Sequence, residues 1–354
     1  MIRNAVRILV LAAGLAACAA APAQQVVRMA YIDPLSGAFA NVGEIGLKQF
    51  QYLADEVNRR NLAPGYRLEV IGFDNKTSPQ ESLNALKKVT DAGIRYVIQG
   101  NGSSVALALA DAIGKHNERN PAQSVLYFNY AAVDPDLTNS KCSFWHFRFD
   151  ANSDMKMEAL TTELAKDRNV KRVYLINQNY SFGQAVSRAA KADLARKRPD
   201  VQIVGDDLHP LGQVKDFSPY VAKIKAAGAD TVITGNWGND MALLVKAAKD
   251  AGLDVDFYTY YAGFGGAPTA MGEAGIGRVK QITEWHNNVP TRDADRMVQE
   301  FKKKHGVDYY YFRAGTMMFM FAEAIKRAKS ADPLAVAKAL EGMRYATEIG
   351  EVEL

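Results

Sequence analysis

The sequence predicts an α/β protein whose parallel sheets are divided between two lobes. From residue 26 onward, short apolar segments of strand length alternate with longer segments whose apolar residues recur at helical spacing. About 330 residues follow the N-terminal segment, which is more than one hydrophobic core usually organises. The pattern A-G-x-x-x-V-I-x-G occurs at 92–100 and again at 227–235, which indicates that the two lobes are built alike.

The first series of elements predicts strands at 26–32, 66–73, 94–98 and 124–128, with helices between them. The helix after the second strand has the clearest boundaries. Ser78 is a candidate N-cap, Pro79 fits the first helical position, and Glu81 completes a capping box. Gly93 marks the end of this helix.

The second series starts near residue 150 and predicts strands at 171–177, 201–204, 231–234 and 255–259. Its helices are predicted at 182–198, 218–227 and 239–251, and three more follow at 293–305, 311–329 and 333–342. In open α/β sheets, ligands bind beyond the carboxyl ends of the strands. Two such lobes facing each other would therefore enclose a ligand cleft.

The N-terminal segment predicts export. Arg3 and Arg7 precede an apolar stretch at 8–17, and an A-x-A cleavage pattern stands at 21–23, so residues 1–23 are predicted to be a cleaved signal peptide. The alternative is lipid attachment, because the residues before Cys18 resemble a lipobox. No other stretch is long enough to span a bilayer. The apolar run at 314–322 lies between Arg313 and Glu323 and is well short of the roughly 20 residues that a spanning helix needs.

Composition and motifs argue against several functions. The formal net charge of +4 is small, and the basic clusters fall at the ends of predicted helices, so nucleic-acid binding is not expected. The sequence lacks the nucleophile-elbow, phosphate-loop, dinucleotide and paired-histidine zinc motifs, so neither an enzyme nor a cofactor is predicted. The five histidines are scattered and predict no metal site. Cys142 is expected to be a structural cysteine.

Several short segments, taken in order, resemble the leucine/isoleucine/valine-binding protein family, whose members serve ABC importers. They are Leu35-Ser36-Gly37, Val97-Ile98, Gly102-Ser103-Ser104, the segment at 134–138, Phe182-Gly183 and Gly235-Asn236-Trp237. The resemblance implies a type I periplasmic-binding-protein fold. It places the first lobe at 26–147 plus 285–345 and the second at 148–284 plus 346–354. Family members normally continue past a strand such as 351–354, so the resemblance also implies a truncated C-terminus.

The segment Gly102-Ser103-Ser104 is the strongest local candidate for ligand binding. A glycine turn at a strand end exposes backbone N–H groups, the following helix offers its positive end, and the serines add hydroxyl donors, which together suit a carboxylate. On the residues alone, capping of the helix by Ser103 explains the pattern equally well. The family resemblance favours binding, because it implies that this serine grips the ligand carboxylate.

The other candidate site residues come from the resemblance. It implies that Ala131 and Val133 face the ligand from the first lobe, and that Phe182, Trp237 and Tyr261 face it from the second. Each of the three aromatic residues lies at or beyond a predicted strand end, where a ring can stack on a ligand, although large aromatic residues are more often core.

Tyr261 is a departure from the family pattern. Amino-acid binders of the family usually place an acidic residue near this point to pair with the ligand's ammonium group, and no acid occurs from 257 to 272. Asp33, Asp240 or Glu284 are possible substitutes. Val42 likewise stands where better-known members have a tyrosine. An aromatic or other organic acid therefore becomes a candidate ligand beside a branched-chain amino acid.

The function predicted from these observations is that of a periplasmic solute-binding protein. Its partners would be a small-molecule ligand and the permease and ATPase subunits of an ABC importer. The two lobes would close on the ligand through a hinge. The alternative is a ligand-sensing protein of the same fold that acts on a separate signalling partner.

Overall fold

The computed structural model describes residues 24–286, 289, 292–347 and 350–354. The predicted signal peptide at 1–23, including Cys18, lies outside the described residues. The described chain forms two lobes, each with a five-stranded parallel sheet flanked by helices, and a C-terminal hairpin. The predicted α/β class and the two doubly wound, parallel-sheet lobes are confirmed.

The sheet of the first lobe has the strand order β2-β1-β3-β4-β5, and all neighbours are parallel. Its strands are β1 (Gln25–Asp33), β2 (Tyr66–Asp74), β3 (Tyr96–Gln99), β4 (Leu126–Asn129) and β5 (His146–Arg148). The helices between them are α1 (Ala40–Arg59), α2 (Pro79–Asp91) and α3 (Ser103–Arg119). Alternate residues of β1 face opposite sides: Ala30 and Ile32 pack in the core under α2 and α3, whereas Met29 and Tyr31 pack in the core under α1.

The sheet of the second lobe has the order β7-β6-β8-β9-β10 and is also parallel. Its strands are β6 (Arg172–Gln178), β7 (Gln202–His209), β8 (Thr231–Thr234), β9 (Asp256–Thr259) and β10 (Val279–Gln281). Its helices are α4 (Ser153–Leu164), α5 (Ser181–Lys197), α6 (Ser218–Ala226), α7 (Gly238–Asp250) and α8 (Ala267–Met271).

The strand order is the same in both sheets, and the repeated nine-residue pattern falls on equivalent strands, β3 and β8. The glycine that ends each copy is packed under an aromatic ring. A Cβ atom on Gly100 would lie 2.6 Å from the ring of Tyr130, and one on Gly235 would lie 3.0 Å from the ring of Phe182. The repeat therefore marks the same structural position in each lobe.

The chain returns to the first lobe after β10. The helices α9 (Arg292–His305), α10 (Phe312–Ala328) and α11 (Pro333–Leu340) follow, with α9 and α10 packed against α1 and α11 against β4. The hairpin of β11 (Arg344–Thr347) and β12 (Gly350–Glu353) is tied to the end of α11 by the backbone of Leu354, which exchanges hydrogen bonds with Gly342 and Met343. The assignment of 346–354 to the second lobe, like the other lobe boundaries, stays a prediction.

Local signals explain several of these boundaries. Ser78 accepts a hydrogen bond from the backbone N–H of Glu81 at 3.3 Å, as expected of the N-cap of α2. The helix α4 was not predicted, because buried Lys156 and Thr161 interrupt its apolar pattern. Cys142 is an exposed free cysteine. None of the helices in the described part of the chain is both long and apolar enough to cross a membrane.

Candidate ligand-binding site

A cavity lies between the lobes, beyond the C-terminal ends of β3, β4, β6, β8 and β9. The cavity is lined by residues of both lobes, namely Val42, Gly100, Asn101, Gly102, Ser103, Ala131, Val133, Tyr311 and Arg313 of the first and Tyr180, Phe182, Trp237, Gly238, Tyr261 and Phe264 of the second. The predicted cleft between the lobes is therefore present.

One wall of the cavity is the N-terminus of α3. Gly102 is the N-cap residue, and its φ of 101° lies in a region that L side chains rarely adopt. Ser103 is the first residue of the helix and does not cap it. Its hydroxyl oxygen accepts a hydrogen bond from the backbone N–H of Asp134 at 3.3 Å. The hydroxyl hydrogen remains as a donor beside the positive end of the helix, an arrangement that suits an anion.

The loop that leads to Ser103 is held from behind by Asp33, whose side chain is fully buried. Its carboxylate accepts hydrogen bonds from the backbone N–H of Gly100 at 3.2 Å and of Asn101 at 2.9 Å, and from the hydroxyl of Tyr130 at 2.8 Å. Asn101 also donates to the Tyr130 hydroxyl through its side-chain amide, at 2.8 Å. Two residues of the cavity wall are thus fixed by one buried carboxylate.

Aromatic side chains form the wall on the second lobe. Trp237 donates its indole N–H to the hydroxyl of Tyr180 at 2.9 Å. The single hydrogen-bonding group of the indole is thereby satisfied. Phe182 packs with Tyr261, their ring centroids lying 5.9 Å apart. Rings held in this way offer a rigid apolar surface to the body of a ligand.

Seven of the eight predicted site residues lie on this one cavity. They are Gly102, Ser103, Ala131, Val133, Phe182, Trp237 and Tyr261. That they bind a ligand stays a prediction.

Ser104 is placed elsewhere. Its hydroxyl lies 3.4 Å from that of Ser181 in the other lobe, and it lines an adjoining surface depression with Thr77 and Pro79. Successive residues of an α-helix point about 100° apart. Ser103 and Ser104 therefore face different surroundings, and of the two only Ser103 lines the cavity. That Ser104 binds the ligand stays a prediction.

The sequence matches a family model described as periplasmic binding protein over residues 26–354. This chain belongs to the periplasmic binding protein family. The Leu/Ile/Val-binding protein homolog 4 of Brucella melitensis is 33% identical over 353 residues, which cover 97% of this chain and 83% of the relative. The family resemblance predicted from the sequence is confirmed.

Solved structures of the family have the same fold as this periplasmic binding protein. A leucine-, isoleucine-, valine-, threonine- and alanine-binding protein from Brucella ovis, in a closed conformation, matches with a TM-score of 0.80 and 30% identity, covering 93% of this chain and 86% of that one. A solute-binding protein of an ABC transporter from R. palustris, in complex with benzoate, matches with a TM-score of 0.81 and 17% identity, covering 93% and 89%.

Three acids were named above as substitutes for the acidic residue that pairs with the ligand's ammonium group in the family. None of the three lines the cavity of this periplasmic binding protein. Asp33 and Asp240 are buried behind it, where Asp240 accepts hydrogen bonds from Gln178 and Gly212. Glu284 is paired with Arg313. The hydroxyl of Tyr261 donates to Asp150 at 3.3 Å, so an acid lies behind this ring and not at the cavity surface. Of the lining residues that the structure describes, none is an Asp or a Glu.

Sequence reasoning missed Arg313, the one lining residue with a formal charge among those described. It is the second residue of α10, and only 3% of its surface is exposed. The buried amide of Gln49 on α1 positions the start of this helix, donating to the carbonyl of Tyr311 at 2.6 Å. The available signal was an arginine at the start of an otherwise apolar helix, since a charged group in such a helix needs buried partners.

Proposed function

We propose that this chain is the exported solute-binding component of an ABC importer and that it captures a small carboxylate-bearing molecule with an apolar, preferably aromatic, body. The observation that supports this most directly is the cavity between the lobes. It combines a helix N-terminus and a serine hydroxyl with aromatic walls, and no acidic residue is among its described lining residues. The names of the relatives in Brucella and the benzoate complex in R. palustris agree with solutes of this class.

The mechanism that we propose is closure of the two lobes around the ligand. The carboxylate docks on Ser103 and the N-terminus of α3, and the rings of Phe182, Trp237 and Tyr261 then cover the body of the ligand. Only the closed form buries the ligand from both sides, so the ligand stabilises that form by its differential affinity. The permease subunits would recognise the closed form.

The proposal predicts that a carboxylate is required for binding. Benzoate and 4-methylpentanoate should raise the melting temperature of the mature protein, whereas benzamide, which has the shape of benzoate without its charge, should raise it much less. Titration calorimetry should then show that Ser103→Ala lowers the affinity for the bound acid about tenfold or more, since a hydrogen bond to a charged group contributes roughly 1.5–3 kcal/mol. Ser218→Ala, at the first residue of α6 and away from the cavity, is the matched control and should bind like the parent.

Leucine and 4-methylpentanoate form a further matched pair, because they differ by the α-ammonium group. The pair should favour 4-methylpentanoate, since burial of an unpaired ammonium is costly. Tighter binding of leucine would overturn the preference for acids without an amine. An affinity of Ser103→Ala equal to that of the parent would overturn the assignment of the carboxylate site.

The acid identified in this way also separates transport from sensing. Deletion of the gene should abolish cellular uptake of the labelled acid, and the gene carrying Ser103→Ala should restore uptake only partly. Unchanged uptake in the deletion strain would favour the alternative, in which the protein acts on a separate signalling partner.

A further inference from the structure

Arg313 lines the cavity, and one nitrogen of its guanidinium has no hydrogen-bond partner in the protein. Its Nε donates to the backbone carbonyl of Tyr130, and its Nη1 donates to Glu284 at 2.6 Å. Its Nη2 is buried and has no hydrogen-bond partner. A buried N–H without an acceptor is energetically costly. A ligand atom that accepts a hydrogen bond from it therefore contributes favourably to the binding free energy.

The guanidinium is also fixed in place. Its carbon lies 4.9 Å from the ring centroid of Tyr311 and 5.3 Å from that of Phe264, and both rings line the same cavity. With Nε, Nη1 and two ring faces engaged, the side chain has little freedom to turn Nη2 toward another acceptor. The unfilled donors are therefore held in a fixed, preorganised orientation beside the cavity.

The charge of Arg313 is already compensated. Its Nε lies 3.3 Å from Asp150, which also pairs with Lys156 at 2.7 Å, while Glu284 pairs with Nη1. Two cations and two carboxylates therefore form a neutral cluster. A second anionic group on the ligand would have to be desolvated without net attraction to compensate. An uncharged oxygen can accept a hydrogen bond from Nη2 without the desolvation cost of a second charge.

We infer that Arg313 determines specificity by hydrogen bonding, through Nη2, to a second and uncharged oxygen of the ligand, such as a hydroxyl or a keto group. This inference rests on the proposed function, in which the carboxylate of the same ligand docks on Ser103. The ligand class is thus narrowed to monocarboxylic acids that carry an oxygen acceptor on an apolar body.

The first test compares ligands that differ only in this oxygen. Calorimetry on the mature parent protein would measure benzoate, the 2-, 3- and 4-hydroxybenzoates, and the three fluorobenzoates as controls of similar shape that accept hydrogen bonds poorly. At least one hydroxybenzoate should bind about tenfold or more tightly than benzoate, because a site built for a polar group discriminates against ligands that lack it. The fluorobenzoate with the same substitution pattern should bind like benzoate.

The second test attributes the preference to Arg313. Arg313→Lys keeps the positive charge but replaces the planar fork by a single ammonium nitrogen, which cannot occupy the positions of Nε, Nη1 and Nη2 at once. The preference for the hydroxybenzoate should fall to within about threefold. Arg198→Lys is the matched control, since Arg198 is equally buried but pairs with Asp200 outside the cavity. It should leave the preference unchanged.

A crystal structure of the parent with the preferred hydroxybenzoate decides the matter even if Arg313→Lys does not fold. The hydroxyl oxygen should lie about 2.7–3.2 Å from Nη2 of Arg313. If benzoates bind but no hydroxybenzoate is preferred, or if its oxygen contacts another group, this inference fails and the proposed function stands. If no benzoate of the panel binds, the inference fails, and if 4-methylpentanoate does not bind either, the proposed function fails with it.

Discussion

Asp33 illustrates how one buried residue supports the candidate site. Burial raises the pKa of Asp33 to about 7, although hydrogen bonds from Asn101, Tyr130 and Gly100 partly offset the effect of burial. The carboxylate holds the loop that carries Ser103, so its ionisation affects the geometry of the anion site. Its raised pKa also links its protonation to the stability of the fold.

The pH dependence of stability tests the state of Asp33. Because the folded protein holds this proton more tightly than the unfolded chain, whose pKa is near 3.8, the stabilisation is present below about pH 4 and is lost as the pH rises to about 7. Urea unfolding should show that, between pH 4 and 8, the unfolding free energy of the parent falls by up to about 4 kcal/mol relative to that of Asp33→Asn. A constant difference across this range would contradict the raised pKa.

At the scale of elements, the start of α1 joins the two lobes. Phe39, at the end of the short 3-10 helix Gly37–Phe39, stacks on Trp237 with ring centroids 4.1 Å apart. A Cβ atom on Gly238 would lie 2.8 Å from the Phe39 ring, and one on Gly212 would lie 2.7 Å from it. The second lobe therefore accepts this ring in a slot that only glycines leave open. Asn41 adds a hydrogen bond to the carbonyl of Gly265 at 2.8 Å.

This contact predicts that Phe39→Ala weakens ligand binding. If the lobes close around the ligand, the substitution removes an aromatic pair from the closed form, and the affinity should fall about fivefold to tenfold, as expected for the roughly 0.5–1.5 kcal/mol of such a pair plus lost apolar burial. Calorimetry with the acid found in the panel measures this. Phe144→Ala, which removes an exposed ring, is the control and should bind like the parent. An unchanged affinity for Phe39→Ala would show that the slot plays no part in closure.

At the scale of the whole molecule, Asp150 lies where the chain first crosses between the lobes, between β5 and α4. Its side chain is 3% exposed and pairs with Arg313 of the first lobe and with Lys156 of the second. Glu284 follows β10, where the chain begins to return, and pairs with the same arginine. The buried charges thus connect both crossings with the wall of the cavity.

The cluster predicts a large effect of Asp150→Asn on stability. Two buried cations would then face the single carboxylate of Glu284, and removing one partner of a buried ion pair typically costs about 3–5 kcal/mol. Urea unfolding measures the loss. Asp111→Asn breaks the exposed pair with Lys115 and should cost less than about 1 kcal/mol. A similarly small loss for Asp150→Asn would mean that water reaches the cluster.

Much of the fold could be predicted, because hydrophobic periodicity reports which face of each element is buried. The strand at 231–234 was predicted to the residue, and the capping pattern at Ser78 located the start of α2. The three-residue strands β5 and β10 were missed, since so few residues show no periodicity. The site was predicted less completely. Spacing placed Ser103 and Trp237 at strand ends, but the direction in which Ser104 points depends on the turn into the helix.

The sequence by itself determined the α/β class, the two similar lobes and the position of a binding cleft beyond the strand ends, because these depend on patterns within segments of about ten to twenty residues. Only the tertiary structure decided the chemistry of the cleft. Arg313 meets Asp150 and Glu284 from positions far apart in the chain, and Tyr261 covers an acid that the sequence places more than one hundred residues away. Such contacts depend on how the lobes pack, which local patterns do not encode.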